Sequence, residues 1–210
     1  MCPGWAASKS TNRTTDTVIK GDQRGSNDDH STVAPLIVSL QSSGAAFSPC
    51  RRWRYLLWRR WNESKPAANF LMLNPSTADE ERLDPTCSRA RDYAERWGYG
   101  ALIVTNVFAW RATEPKQLLA VRDPVGKGND RAIMRAAREA QIVVCAWGNH
   151  GGHLGRSTKV MEILKANGIP LHALRVNGTG EPAHPLYLPR RLWPMQWEPG
   201  VERRRTRTTH

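Results

Sequence analysis

The sequence lacks any long apolar run. No stretch of the 210 residues approaches the roughly 18 to 20 apolar residues that a bilayer-spanning helix needs. The first ten residues, MCPGWAASKS, also lack the basic region followed by a long apolar segment that marks a secretory signal. These two absences predict a cytoplasmic protein that has no membrane partner.

Cysteine is scarce as well, since the chain holds four and no two of them form a CxxC pair. This wide spacing disfavours a zinc or iron–sulfur site and a disulfide framework. The four are Cys2, Cys50, Cys87 and Cys145. We therefore expect no metal ion and no cofactor. Internal repeats are absent too, and this length with 40% hydrophobic residues predicts one folded domain, which we expect to be a monomer.

Positive charge is what the sequence has in excess. Residues 1–46 hold four basic and four acidic side chains, so the net charge of +12 comes from residues 47–210, which hold 27 basic and 15 acidic ones. A basic folded region of this kind favours a polyanionic partner such as nucleic acid. A general bias towards solubility is the alternative interpretation.

The stretch CRRWRYLLWRRW (50–61) interleaves five arginines with three tryptophans and a tyrosine. It predicts an antiparallel pair of strands that presents arginines to phosphates and aromatic rings to stacked bases of a single-stranded nucleic acid. The candidate contacts are Arg51, Arg52 and Arg54. An edge hairpin whose arginines lie over tryptophans is the alternative.

Composition divides the chain into three regions. Residues 1–45 are rich in Ser, Thr, Asn, Asp and Gly, which predicts a disordered N-terminal tail. Residues 46–198 alternate strand and helix patterns, which predicts a single α/β domain. Residues 199–210 contain the basic run ERRRTRTTH and predict a disordered arm.

Four apolar segments predict strands that are covered on both faces. They are NFLMLN (69–74), ALIVTNV (101–107), IVVCAWG (142–148) and PLHALRV (170–176). Helices are predicted between them from Asp84-Pro85 to Gly98, over about 130–140 and over about 157–167. The pattern predicts a three-layer α/β/α sandwich with a central, mainly parallel four-stranded sheet, preceded by an antiparallel hairpin.

Polar residues follow the ends of these predicted strands. They are Asn74-Pro75-Ser76-Thr77, Asn106, Trp147-Gly148-Asn149-His150 and, after the fourth strand, His184-Pro185. Because ligands bind at the carboxyl ends of the strands in open parallel sheets, these residues predict one concave site. Taken singly, an asparagine at a strand end is also explained as a turn former.

Charged and hydroxyl groups near the strand ends extend the predicted site. The backbone N–H groups of Ser76 and Thr77, together with Arg111 and Arg156, can bind a phosphate. Asp79 is the acid nearest to Asn74 and is a candidate general base. Its alternative role is to cap a turn.

Several segments together resemble the bacterial family catalogued as domain of unknown function 1643, over about residues 47–197. They are FSPCRRWRY, LMLNPSTAD, RWGYG, NVFAWRAT, DPVG, AWGNHG and HPLYLP. That family name carries no established activity. More distantly, the order of these segments is similar to that of the uracil-DNA glycosylase superfamily. The positions that carry this second resemblance are Asn74-Pro75, Thr105-Asn106-Val107, Trp147 to His150 and His184-Pro185.

The second resemblance implies the fold of that superfamily and a metal-independent N-glycosylase activity. Cleavage of an N-glycosidic bond requires stabilisation of a cationic sugar and of the departing base, and a guided water. In this reading His184 donates to a base carbonyl and Asn106 presents its amide to a base edge. Asn74 can hold a water, but it cannot take a proton as the aspartate of the faster members does.

Two departures from that superfamily widen the range of substrates. Its stacking phenylalanine has no obvious counterpart, and Phe108 or Trp110 can either stack or pack in the core. Leu186 and Tyr187 replace its small hydroxyl residues after His-Pro. A free nucleotide, a modified base and RNA are therefore candidate substrates alongside DNA. We expect a nucleobase-recognising N-glycosylase-like hydrolase in DNA repair or base modification, with a non-catalytic nucleic-acid or nucleotide-binding module as the alternative.

Overall fold

The structure is a computed structural model that describes residues 43–200. Its strands are β1 (Ser43–Phe47), β2 (Arg54–Arg60), β3 (Ala67–Met72), β4 (Ala101–Asn106), β5 (Ile142–Ala146), β6 (Leu171–Ala173) and β7 (Met195–Gln196). Its helices are α1 (Pro85–Arg96), α2 (Pro115–Leu119), α3 (Asn129–Glu139) and α4 (Arg156–Ala166), with 3₁₀ segments at Asn149–Gly155 and Pro185–Tyr187. None of these described helices is long and apolar enough to span a membrane.

The strands form one sheet in the order β1-β2-β4-β3-β5-β6-β7. β3 pairs in parallel with both β4 and β5, and β5 pairs in parallel with β6. The pairs β1–β2, β2–β4 and β6–β7 are antiparallel. The mixed α/β class is confirmed. The described sheet has seven strands where four were predicted: the four predicted strands pair in parallel, and β1, β2 and β7 add three antiparallel pairings.

Helices pack on opposite faces of this sheet. α1 places Cys87, Ala90 and Tyr93 in a cluster with Phe70 and Leu102. α3 and α4 belong to a second cluster with the neighbouring residues of the strands, because successive strand residues point to opposite faces. That cluster includes Leu71, Ile133, Val143, Val160 and Leu164.

The four apolar segments each form a strand, and the strands end just before or at the polar residues that follow them. The cap of α1 is also as predicted, since the Asp84 side chain accepts a hydrogen bond from Cys87 N at 2.8 Å and Pro85 begins the helix. The patterns near 130–140 and 157–167 correspond to α3 and α4. The short elements α2 and β7 were not predicted.

The antiparallel hairpin predicted before the parallel strands is present as β1–β2, but the Arg/Trp stretch does not supply both of its strands. It supplies the single strand β2, which lies between β1 and β4. β1 begins at Ser43, inside the segment predicted to be disordered up to residue 45. The rest of the predicted tails, residues 1–42 and 201–210, lies outside the described residues. Gly44 allows the pairing, because a Cβ there would come within 2.2 Å of the Trp58 ring.

A polar pair joins the two central strands. Asn69 Nδ2 donates to Thr105 Oγ1 at 3.1 Å and to Ile103 O at 3.2 Å. Asn69 and Thr105 have no exposed surface. Each side chain therefore depends on the other for a hydrogen bond that water cannot replace.

We expect Asn69→Ala to lower the free energy of unfolding by about 1–3 kcal/mol, because it leaves the Thr105 hydroxyl without this buried partner. Chemical denaturation measures the loss. Glu162→Ala, at an exposed position on α4, is the control and should change stability by less than about 0.5 kcal/mol. Equal, small effects of the two substitutions would contradict the expected role of the pair.

Candidate functional site

The register of the parallel strands brings their carboxyl ends level with one another. Met72 of β3 is paired with Asn106 of β4 and with Ala146 of β5. The chain passes from β3 to β4 on one side and later returns to β5 on the other side. Open α/β sheets bind ligands where the direction of winding reverses in this way.

A cleft of about 630 Å³ opens at this edge of the sheet. Its volume falls in the range of roughly 300–1,000 Å³ that is usual for small-molecule sites. The predicted site residues that line it are Asn74, Ser76, Asn106, Trp147, Gly148, Asn149, His150 and His184. The amide of Asn74, the amide of Asn106 and the imidazole of His184 therefore lie around the same hollow.

The orientation of the Asn74 amide is fixed by two main-chain carbonyls. Its Nδ2 donates to Pro75 O at 2.9 Å and to Ala112 O at 2.8 Å. Because carbonyl oxygens only accept, the nitrogen must face them and Oδ1 is the atom left for the cleft. Asn74 thus offers an acceptor that can orient a water.

The orientation of the Asn106 amide is fixed from the opposite side. Arg54 Nη2 donates to Asn106 Oδ1 at 3.3 Å, and Arg54 Nη1 donates to Ala78 O at 2.8 Å. A guanidinium only donates, so the Oδ1 of Asn106 must face it and Nδ2 is left for the cleft. Asn106 thus offers a ligand the N–H donors of its amide and not its carbonyl oxygen.

His184 is held opposite Gly148 by main-chain contacts. Gly148 N donates to Pro182 O and Ala183 N donates to Arg175 O, both at 2.8 Å. Gly148 has φ 70° and ψ −173°, a backbone conformation that only glycine adopts without strain. Glu181 adds a further tie, because it accepts from Trp147 Nε1 and from Ser157 Oγ.

The environment of His184 favours a neutral imidazole. Burial lowers the pKa of His184 from its ordinary value, and the negative charge of Asp84 opposes this effect. Its Nδ1 is buried and has no hydrogen-bond partner within residues 43–200. A neutral ring of this kind can donate from one nitrogen to a ligand oxygen.

Three charged residues of the cleft were not assigned to it by the sequence: Arg54, Asp84 and Arg175. Asp84 was recognised only as a helix cap, and Arg175 was counted as part of the fourth strand, although it follows β6 as an exposed polar residue. Cys87 also lines the cleft, where burial raises its pKa to about 12, so it stays a thiol. No group of three or more His, Cys, Asp or Glu in the described part of the chain is placed to hold a metal ion.

Asp79 is not placed to act as a general base. Its Oδ1 accepts from the backbone N–H groups of Glu81 and Arg82, each at 2.9 Å, and the side chain does not line the cleft. These bonds from Arg82 and Glu81 lower the pKa of Asp79. The alternative role as a turn cap is the one that the structure has.

Arg54 and Arg156, which the sequence proposes as contacts to nucleic acid or phosphate, are both buried. Arg156 donates to Val107 O at 2.6 Å and forms an ion pair with Asp130. Arg51 is exposed but pairs with Glu80 at 2.8 Å. Arg111 lies over the Phe47 ring, 5.2 Å from its centroid.

The remaining predicted residues fall outside the cleft lining. Arg52 and Thr77 are exposed, and Pro75 and Pro185 are buried beside the cleft residues that they precede or follow. Phe108 is buried in the core, while Trp110 packs edge-on against Trp53, so neither is placed to stack on a ligand in the cleft. Tyr187, at the cleft mouth, is 83% exposed and lies 5.6 Å from His184 between ring centroids.

Comparison with known proteins gives one match. A family model described as "Protein of unknown function (DUF1643)" matches residues 54–186. This range holds the four parallel strands and all the cleft residues named above except Tyr187. No curated protein and no solved structure matches the chain.

We expect His184 to titrate below the ordinary histidine value of 6.5. As the pH falls, the unfolded chain therefore takes up the proton of this histidine before the folded chain does. The contribution of His184 to the free energy of unfolding is complete above pH 6.5 and is lost as the pH falls through the pKa of the folded state. An NMR titration of the imidazole signals, assigned with His184→Gln, measures it. A midpoint at or above the ordinary value would contradict the buried, neutral state.

Proposed function

The chain belongs to the DUF1643 family of proteins of unknown function, and we propose that it recognises a nucleobase in the cleft and hydrolyses its N-glycosidic bond. The observation that carries this proposal is the convergence of three complementary groups on one hollow. Asn74 offers an acceptor, Asn106 offers donors and His184 offers an imidazole. A flat heterocycle that carries donors and acceptors on its edge would match these three groups.

Each group has a part in the proposed reaction. The ring lies between Gly148 and the neighbouring strand ends, where Asn106 and His184 donate to its oxygen atoms. As the glycosidic bond lengthens, negative charge grows on the base and these donors stabilise it. Asn74 orients the attacking water through Oδ1 but leaves its proton to solvent.

The motif resemblance to the uracil-DNA glycosylase superfamily supports the same proposal, because the positions that carry it are the ones that meet in the cleft. Asn74, Asn106, the run from Trp147 to His150 and His184 are far apart in the sequence and adjacent here. A four-strand parallel core of that superfamily's kind, to which β1, β2 and β7 are added, is the fold that goes with this proposal.

A second candidate function is a binding module that holds the base without chemistry. The observation that favours it is the shortage of a general base. Asn74 cannot take a proton, and Asp79 is committed to a turn outside the cleft. The same donors would then serve affinity alone.

We expect the purified protein to release a base from oligonucleotides that contain uracil, mismatched or modified bases, or from nucleosides and nucleotides. Alkali treatment reveals abasic sites in the oligonucleotides, and chromatography reveals free base from the others. His184→Ala and Asn106→Ala should each lower the rate by about 100- to 1,000-fold, the usual loss when one donor to a developing anion is removed.

Glu162→Ala, which is remote from the cleft, is the control and should retain the wild-type rate. If the wild-type protein leaves every substrate intact and yet binds the same bases, with weaker binding in Asn106→Ala, the second candidate is the correct one. If neither release nor binding of any base is seen, both candidates fail.

A further inference from the structure

Arg54 is an arginine buried at the floor of the cleft without a carboxylate partner. Its side chain is 1% exposed, and it lines the cleft beside Asn106. Arg156, buried to a similar extent, forms an ion pair with Asp130. No carboxylate in the described chain lies within ion-pair distance of Arg54. A buried cation is normally paired at this range, whereas the charge of Asp84 acts on Arg54 only from a greater distance.

The hydrogen bonds of Arg54 are also incomplete. A guanidinium carries five N–H donors, and Arg54 directs them to Ala78 O, to Asn106 Oδ1 and to the Cys87 thiol. Its Nε is buried and has no partner within residues 43–200. An unpaired buried donor costs about 1–3 kcal/mol, more when it is charged. An anionic oxygen arriving from the cleft would satisfy both the charge and the remaining donors.

The other charged groups around the cleft do not supply that anion. Asp84 is the nearest acid; its Oδ1 caps α1, and its negative charge stabilises the Arg54 cation without forming an ion pair with it. Cys87 stays a thiol, and His184, with its lowered pKa, is neutral at neutral pH. Arg175 and His150 at the mouth bring no negative charge. Within the described residues Arg54 therefore has no carboxylate at ion-pair distance, and the anion of a ligand would supply one.

We propose that the ring held in the cleft carries a negative charge on the edge that faces Arg54. This rests on the proposed function, because it assumes that a heterocycle contacts Asn106. The Arg54 and Asn106 side chains touch at 3.3 Å, so an edge that reaches the Asn106 amide also reaches the guanidinium. The ligand class is an acidic heterocycle, either a ring with a carboxylate substituent or a ring that ionises at neutral pH.

The position of Arg54 favours an acidic heterocycle over a phosphate of a nucleic-acid chain as its ligand. An internal phosphodiester stays on the outside of a cleft, whereas Arg54 is 1% exposed at its floor. The exposed arginine predicted to bind phosphates beside it, Arg51, is already paired with Glu80. The geometry thus favours, as the partner of Arg54, a small anionic group that is part of the ring ligand.

The experiment compares dissociation constants at pH 7.5 by calorimetry for matched free rings. Uracil is neutral, orotate adds a carboxylate and barbiturate is an ionised ring, so the last two separate the two sources of charge. We expect one or both anions to bind at least about tenfold more tightly than uracil, the usual gain from hydrogen bonds to a charged group. Uridine monophosphate and inorganic phosphate are included as probes of a phosphate.

Variants test whether Arg54 is the source of the preference. Arg54→Gln keeps a donor for Ala78 O but removes the charge, and it should reduce the ratio of anion affinity to uracil affinity, measured in the same variant, to about twofold or less. Arg54→Lys keeps the charge and should retain part of the preference. Arg122→Gln removes an exposed charge outside the cleft and should retain all of it.

Equal binding of neutral and anionic rings by the wild-type protein would overturn the inference and leave the proposed function standing. Tight binding of the monophosphate or of phosphate, without a preference among the free rings, would also overturn it, because the anion would then be a phosphate. A preference for the anions that survives in Arg54→Gln would show that another cation is responsible. A preference that depends on Arg54 in a protein that releases no base would support the inference while the hydrolytic function fails.

Discussion

The parallel register of β3 with β4 and β5 decides where every polar group of the cleft lies. Met72 is level with Asn106 and with Ala146, so the residues that follow each strand emerge at the same edge of the sheet. A shift of one residue in either pairing would turn Asn106 or Trp147 to the other face, because side chains alternate along a strand. The Asn69–Thr105 pair, buried between the same strands, holds that register through specific hydrogen bonds.

The second constraint is the position of β2 between β1 and β4. Antiparallel pairing of Leu57 with Val104 carries the start of β2 towards the carboxyl end of β4, and this places Arg54 beside Asn106. An arginine in a stretch rich in arginine and tryptophan is typical of a surface, and local sequence gives no sign of which one is enclosed. Arg54 is an interior residue only because of this long-range pairing and because the loop that contains Ala78 accepts a hydrogen bond from its guanidinium.

What could be predicted from the sequence was local. Continuous apolar runs identified β3, β4 and β5, and an Asp-Pro pair identified the start of α1, because these signals arise from neighbouring residues. β1, with the sequence SGAAF, gave no such signal, because it is defined by its pairing with β2, where Trp58 lies against Gly44. The polar residues that follow β3, β4 and β5 line one cleft at that edge of the sheet. The choice between Asp79 and Asp84 as the acid near the cleft could not be made, because it depends on how the chain between β3 and α1 folds back.

The chemistry of the cleft follows from what its groups can and cannot do with a proton. In the described chain Asp84 is the one carboxylate that lines it, and one of its oxygens caps a helix, whereas Arg54, Asn106 and Arg175 are donors. Such a cleft stabilises negative charge well and abstracts protons poorly. Interactions raise a rate only if they strengthen in the transition state. A charge that the ring already carries when it binds would interact with Arg54 and raise the affinity. A charge that develops as the base departs would interact with His184 and Asn106 and raise the rate. The two proposals therefore assign different tasks to neighbouring groups: Arg54 would hold the ring, and the two neutral groups would act on the bond.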